Sequence, residues 1–477
     1  MASRQALGLF ALLMLLGVAC SSSEEAAPDP TLPPGVFAPT PTIGDNTPTV
    51  TSVRPDPTTT ADLERSAMYR VDPLTLETLP GFEPIPMGDW FGGDTSANGQ
   101  WLAAIAYDDT GFDRRLRLVH LPSWELRSEW DVFTVDAPLQ MSADGSVFLI
   151  DSTGMIPRLV RYTVGEGEPE TVADLPFMNP WESHMVGDGT FAVFGERAES
   201  GPETGQAMIA VVDLAMATVR TIPLPDVPLG VVREVELTSS LSGVIYVSPA
   251  VVWDEDRSRV LIVHSGEDVV TEVAIDSGEV NAHRFGPVVR DFTWSAPLQY
   301  IGEARSASHR RTGSLSPDGQ HLYVGTMTGG FEVEGESWSA VTTSTGIVEV
   351  DTSIWEIASR LDAPISDVAL APDGTRILAW GYDHRGDDLS DDLQASGLYV
   401  IDPNQFEVIT HHVSVGPEVF YSPFTFSESA GVAYATNWAE TESTIDVIDL
   451  ETGDLIATRG GEFTQMFGEV GVLGESR

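Results

Sequence analysis

Lysine is missing from this chain of 477 residues, so all 25 of its basic residues are arginine. Against them stand 72 acidic residues, for a formal net charge of −47. A surplus of that size repels nucleic acid and anionic membrane over long range, so direct binding to either is not expected. The missing lysine fits a coding bias better than a mechanism. Cysteine is almost missing too, since Cys20 is the only one, and an internal disulfide is excluded. The common catalytic signatures are lacking as well. There is no Gly-x-Ser-x-Gly elbow, no His-Glu-x-x-His helix, no phosphate-binding P-loop and no dinucleotide fingerprint.

What the chain does contain is a repeated turn. Ser316-Pro317-Asp318-Gly319 precedes the apolar run Leu322-Tyr323-Val324, and Ala371-Pro372-Asp373-Gly374 precedes Ile377-Leu378-Ala379. Ser142-Ala143-Asp144-Gly145 and Ser96-Ala97-Asn98-Gly99 are further copies. Return of one turn at intervals of roughly 45 to 60 residues marks a repeat architecture. A second hairpin, with an Asp-x-x-Thr-Gly turn, is clearest from Ile445 through Asp449 and Gly453 to Ile456. One hairpin of each kind makes a four-stranded blade, the unit of a β-propeller.

The expected fold is therefore all-β, a propeller of seven or eight four-stranded blades. The second hairpin recurs near Met68, Leu116, Val160, Ile209, Val273, Ile347, Leu398 and Ile445, and the first near Asn98, Asp144, Asp188, Asp256, Asp318, Asp373 and Ser429. The unmatched half at Met68 needs two inner strands, and the C-terminal segments Phe463–Phe467 and Gly471–Leu473 are placed to supply them. Eight blades with one split between the chain ends is the preferred count, with seven as the alternative. Expected insertions fall at about 228–248, 296–312 and 328–344.

Ahead of the repeats, Arg4 and the apolar run from Ala6 to Val18 lead into Leu16-Gly17-Val18-Ala19-Cys20 and a polar Ser21-Ser22-Ser23. That run is short for a membrane span. The segment resembles a bacterial lipoprotein signal, with residues 1–19 as the signal peptide and Cys20 as the lipid-modified first residue of the mature chain. Gly17 stands where the lipobox prefers leucine. The alternative is an ordinary secretory signal with an incidental cysteine. Residues 20–60 are rich in Pro, Thr and Ser and read as a disordered tether. The propeller then occupies 61–477, in the cell envelope outside the cytoplasmic membrane.

Tyr434-Ala435-Thr436-Asn437 and Tyr323-Val324-Gly325-Thr326, with the Asp-Gly turns, make most of residues 63–477 similar to the YVTN family of β-propellers. That resemblance implies the fold. It spans surface proteins, binding proteins, lactonase-like enzymes and amine-dehydrogenase subunits, so function must come from a site.

Residues ahead of the Asp-Gly turns are the ones a propeller places near one mouth of its channel. Trp181, His184, His309, Arg310, Arg311 and Asp367 are the ligand-binding candidates, with Asp89, Trp90, Glu182 and Tyr421 in equivalent places. His309-Arg310-Arg311 is a basic knot in an acidic chain. It reads as a carboxylate clamp or as internal ion pairing. Asp383, Asp387, Asp388 and Asp391 crowd one loop that reads as a hydrated insertion, with calcium as the alternative. No other cofactor is expected. The leading functional expectation is a lipid-anchored binding or scaffold module for an envelope protein, a glycan or a small anionic ligand. The alternative is an extracytoplasmic enzyme using His184, His309, Arg310 and Asp367.

Overall fold

The structure is a computed structural model. It describes residues 67–87, 89–96, 98–107, 114–132, 139–154, 156–187, 189–197, 206–238, 241–286, 306–334, 337–386, 394–413, 420–421, 425–438, 444–460, 463–467 and 471–474. Residues 1–66, with Cys20 and the expected signal and tether segments, lie outside the described residues.

The described chain is a β-propeller. Its only helix is one 3-10 turn at Glu255–Arg257. Five four-stranded blades stand as separate sheets. In chain order, four of them begin with the inner strands Asp89–Thr95, Gln140–Met141, Phe177–Val186 and Ala250–Asp254. We call these the first to fourth sheets. The fifth joins the two ends of the described chain, for Ala67–Arg70 pairs antiparallel with Gly471–Gly474, which pairs in turn with Phe463–Phe467. Strands between Phe420 and Gly460 form a five-stranded sheet.

The remaining ten strands merge into one sheet for a local reason. Strands His321–Glu334 and Ser337–Asp351 are 14 and 15 residues long, and they overshoot the ring. Their far part pairs with the next hairpin through Ala340↔Gly386 and Thr342↔His384. Hairpin Gly230–Ser248 adds itself in parallel along Ser306–Leu315 through Val247↔His309 and Ser248↔Arg310. Parts of the segments expected as insertions are thus strand, extending the sheet above the ring.

Both repeated turns close the strands at one end of the ring. In the Asp-Gly turn, Ser316 Oγ donates to Asp318 Oδ1 at 2.6 Å, and the Gln320 N–H reaches the same oxygen at 3.0 Å. The bond from Ser316 holds the Asp318 carboxyl below its usual range. Gly145 has φ +87°, and a Cβ there would lie 2.8 Å from the Trp101 ring of the preceding sheet. The turn thus needs glycine both for its backbone and for the neighbour packed over it.

Apolar clusters fill the gaps between successive sheets. Leu116 and Leu118 of the first sheet meet Val147 and Leu149 of the second, and Phe148 of the second meets Phe191 of the third. Each buried Val, Leu or Phe of this kind contributes about 1.5–3 kcal/mol. Side-chain donors add latches between neighbours. Arg220 donates to Ile275 O, Arg376 to Glu451 O at 2.6 Å, and buried Arg459 to Leu76 O. Tyr434 Oη donates to Pro73 O at 2.9 Å, tying the five-stranded sheet to the sheet that joins the ends.

Candidate functional site

Alternation along strand Ser306–Leu315 sends neighbouring side chains to opposite faces. Arg311 therefore turns back toward the fourth sheet, while Arg310 turns forward to the next inner strand, Asp367–Leu370. The basic knot is split. Arg311 donates from Nη1 to Glu267 O and from Nη2 to Asp268 Oδ1, both at 2.9 Å. His309 is buried, and burial followed by the Arg311 charge depresses its pKa. Internal pairing accounts for Arg311. Arg310 is different.

Arg310 Nη2 donates to Asp367 Oδ1, and the other carboxylate oxygen accepts from Ser366 Oγ at 2.9 Å. Asp367 is buried, with 10% of its side chain exposed, whereas the Arg310 side chain keeps 41%. Burial raises the Asp367 pKa against the opposing pull of Arg310 and Ser366. Among the described residues, Asp367 is the only hydrogen-bond partner of the Arg310 side chain. The guanidinium is held by one nitrogen at the entry of an inner strand, and its other donors remain available at an exposed surface.

One aromatic ring, Tyr382, lies close to this pair, and a second packs behind it among Leu378, Leu398 and Val400. Asp367 lies opposite Trp380 in the ladder, and Trp380 stacks with Tyr382 at 6.1 Å and 24°. Tyr382 sits within electrostatic reach of both charges. Its pKa is raised by burial first, with Arg310 opposing and Asp367 adding to the shift. Ser344 Oγ fixes the Tyr382 backbone from both sides, accepting its N–H at 3.0 Å and donating to its carbonyl at 2.9 Å. Arg with free donors, a buried carboxylate and the Tyr382 ring make an arrangement suited to a planar anionic group.

The other candidates lie elsewhere. His184 Nε2 contacts Glu255 Oε1 at 2.7 Å, and its ring stacks on Trp253 at 5.2 Å. Glu255 follows the inner strand of the fourth sheet, so His184 belongs to the tight-turn end of the ring, opposite the strand entries where Arg310 sits. Trp181 is partly buried, packs against the cluster between the third and fourth sheets, and its indole N–H is buried without an acceptor. Beside it, Glu182 is solvent-exposed, yet the protein around it pushes its carboxyl up. His411 stacks on Tyr399 at 4.0 Å while His412 reaches Gly453 O at 2.8 Å, so the two rings face apart. Asp383 accepts the Ser344 N–H at 2.9 Å. Asp387, Asp388 and Asp391 lie outside the described residues, and no metal-ligand cluster occurs among the described ones.

Sequence reading missed Ser366, Tyr382, Thr312 and Gly325. Thr312 Oγ1 donates to Ser366 O at 2.7 Å, and Gly325 lets that carbonyl approach its own Cα. The available signal was the repeat register, which aligns Asp367 with the start of an inner strand and so makes its neighbours site residues.

No protein-family model matches this sequence, and no curated protein sequence does. Solved structures similar in shape include Chaetomium thermophilum Sqt1 bound to the N-terminus of ribosomal protein L10. It is 13% identical over 82% of this chain and 97% of that one, with a TM-score of 0.47. The Dos1 propeller is 9% identical over 87% and 96%, with a TM-score of 0.46. Oligogalacturonate lyase from Vibrio parahaemolyticus is 11% identical over 86% and 91%, with a TM-score of 0.41. Identities and superpositions this low carry nothing about function.

Proposed function

We propose that this protein is a lipid-anchored, eight-bladed propeller of YVTN type in the cell envelope, binding a small anionic ligand beside Arg310. The observation that carries the ligand reading is the half-exposed Arg310 guanidinium, pinned by buried Asp367 and within electrostatic reach of Tyr382. Eight blades are favoured by the eight apolar clusters that lie, among the described residues, between successive four-strand runs. The last two join the five-stranded sheet to Ala67 and Tyr69, and Met68 to Leu102 of the first sheet. Residues 6–20 support the anchor on Cys20, and the Pro/Thr-rich 20–60 segment supports a tether. A scaffold for an envelope protein or glycan uses the same mouth. The enzyme alternative needs His184, His309, Arg310 and Asp367 around one atom, and the contacts of His184 with Glu255 and Trp253 weigh against it.

The test titrates the full chain in detergent with glucuronate and with its uncharged amide, read by calorimetry. Glucuronate should bind and the amide should not, and R310M should lose roughly ten- to a hundredfold in affinity. Equal binding of both compounds, no binding of either, or an R310M chain that binds as well as the parent, sinks the reading. For the anchor, metabolic labelling with an alkyne fatty acid should mark the parent chain and leave C20A unmarked. Equal labelling of the two chains refutes lipidation at Cys20.

A further inference from the structure

Beyond that ligand reading, and independent of it, the other arginine of the knot has an unusual surrounding. We infer that turn His264–Val269 and the Arg311 side chain enclose a binding site for a small inorganic anion of halide size. The site lies between the fourth sheet and strand Ser306–Leu315. Arg311 is 6% exposed, and the turn wraps its guanidinium through Glu267 O and the Asp268 carboxylate. Its Nε is buried and has no acceptor. Two more polar atoms of the same turn are in that condition, Nδ1 of His264 and Oγ of Ser265, on residues 3% and 5% exposed. The turn is closed by the His264 N–H to Val269 O at 3.0 Å, and the Ser265 and Gly266 amides find no backbone acceptor among the described residues.

Three orphaned buried groups, two in the turn and one on Arg311, each cost about 1–3 kcal/mol unless something pairs with them. An anion fits better than a cation because a buried guanidinium faces the site. It fits better than water because Arg311 meets one carboxylate only, and that carboxylate is partly exposed. Phe285, 5.7 Å from the guanidinium carbon, covers another side. His264 adds an N–H, not a charge. Its Nε2 is within 2.8 Å of Thr271 Oγ1, and burial followed by Arg311 lowers its pKa to about 4, against the opposing pull of Asp226.

Bromide is the probe, since it scatters anomalously and replaces chloride. Crystals of the protein soaked in sodium bromide should show an anomalous peak within hydrogen-bond reach of Arg311 Nε and Ser265 Oγ. In solution, melting temperature should rise saturably by about 2–4 °C in chloride or bromide relative to gluconate at equal ionic strength. S265A, a small change that preserves the fold, should weaken the halide response at least threefold in midpoint concentration, while S353A, in an exposed turn elsewhere, leaves it unchanged. Ordered water alone at this place after bromide soaking overturns the proposal. So does a melting temperature indifferent to halide, or a halide effect that S265A does not alter.

Discussion

Arg310 and Asp367 are 57 residues apart and share one ion pair whose two ends differ in burial, 41% of the side chain exposed against 10%. That asymmetry decides which partner is costly to remove. R310M leaves a buried carboxylate without its counter-charge, and D367N leaves a cation that water already reaches. R310M should cost about 2 kcal/mol, below the figure for a fully buried pair because water screens this one. D367N should cost less than half as much. Urea unfolding of both single variants and the double variant measures this, and equal single costs refute the asymmetry.

The Asp94 carboxyl, on an inner strand of the first sheet, makes a different prediction. Burial pushes it up to about 6, although it accepts the Thr95 N–H at 2.7 Å. A carboxyl whose folded pKa is raised keeps its proton in the folded state after the unfolded chain has lost it. Stability therefore falls as pH rises from about 4 to about 6, and is level above that. D94N removes the penalty. The gain should be near zero at pH 4 and should approach about 3 kcal/mol at pH 7. Urea midpoints of parent and D94N from pH 4 to 8 test it, and a pH-independent difference contradicts the assignment.

What the sequence revealed and what it hid have one physical cause. Ser316 and Asp318 bond within their own turn, so a four-residue reading finds them. The pairing of Ala67–Arg70 with Gly471–Gly474 was legible because strand counting left a half-blade at each end. The division of labour in His309-Arg310-Arg311 was not legible. It depends on which face of the strand each residue takes, and on Asp268 and Asp367, which are 43 and 57 residues away from their partners. His184 looked equivalent to Arg310 by position before a turn, yet it stands two residues from the turn end of Phe177–Val186, whereas Arg310 lies in the middle of Ser306–Leu315. The overshoot of Ser337–Asp351 was read as an insertion because its pairing partner, His384–Gly386, belongs to the next repeat.

Ala217 occupies the left-handed position of the second turn type, with φ +53°, where Gly278 and Gly453 stand in other repeats. Trp355 and Phe406 take the same conformation elsewhere, but they are offset by packing, since Trp355 stacks on His283 at 4.1 Å and Phe406 on Tyr323 at 6.1 Å. Ala217 is exposed and gains nothing from its methyl group. Left-handed backbone costs an L-residue roughly 1–2 kcal/mol, part of which glycine gives back as chain entropy. A217G should therefore stabilise by about 0.5–1 kcal/mol, and W355G should destabilise through the lost stack. Thermal melts of both variants separate strain from packing, and a destabilised A217G contradicts the argument.

Gly325 decides how closely the strand carrying Asp367 approaches the one carrying Arg310. A Cβ at Gly325 would lie 2.3 Å from Ser366 O and 2.9 Å from Thr312 Oγ1, the two atoms whose 2.7 Å hydrogen bond sets that approach. The neighbour is backbone, so it cannot rotate away, and the segment Ile365–Asp367 must shift. G325A should cost about 1–3 kcal/mol in urea unfolding. It should also move the Asp367 carboxylate off Arg310 and change the site without touching either residue. Gly431, at φ +66° with nothing within 4 Å of its Cβ, is the control, for G431A carries only backbone strain. If both chains lose stability but only G325A loses glucuronate affinity, the close approach at Gly325 is a positioning element of the site. If G325A binds as the parent does, the geometry of Arg310 and Asp367 is set independently of that contact.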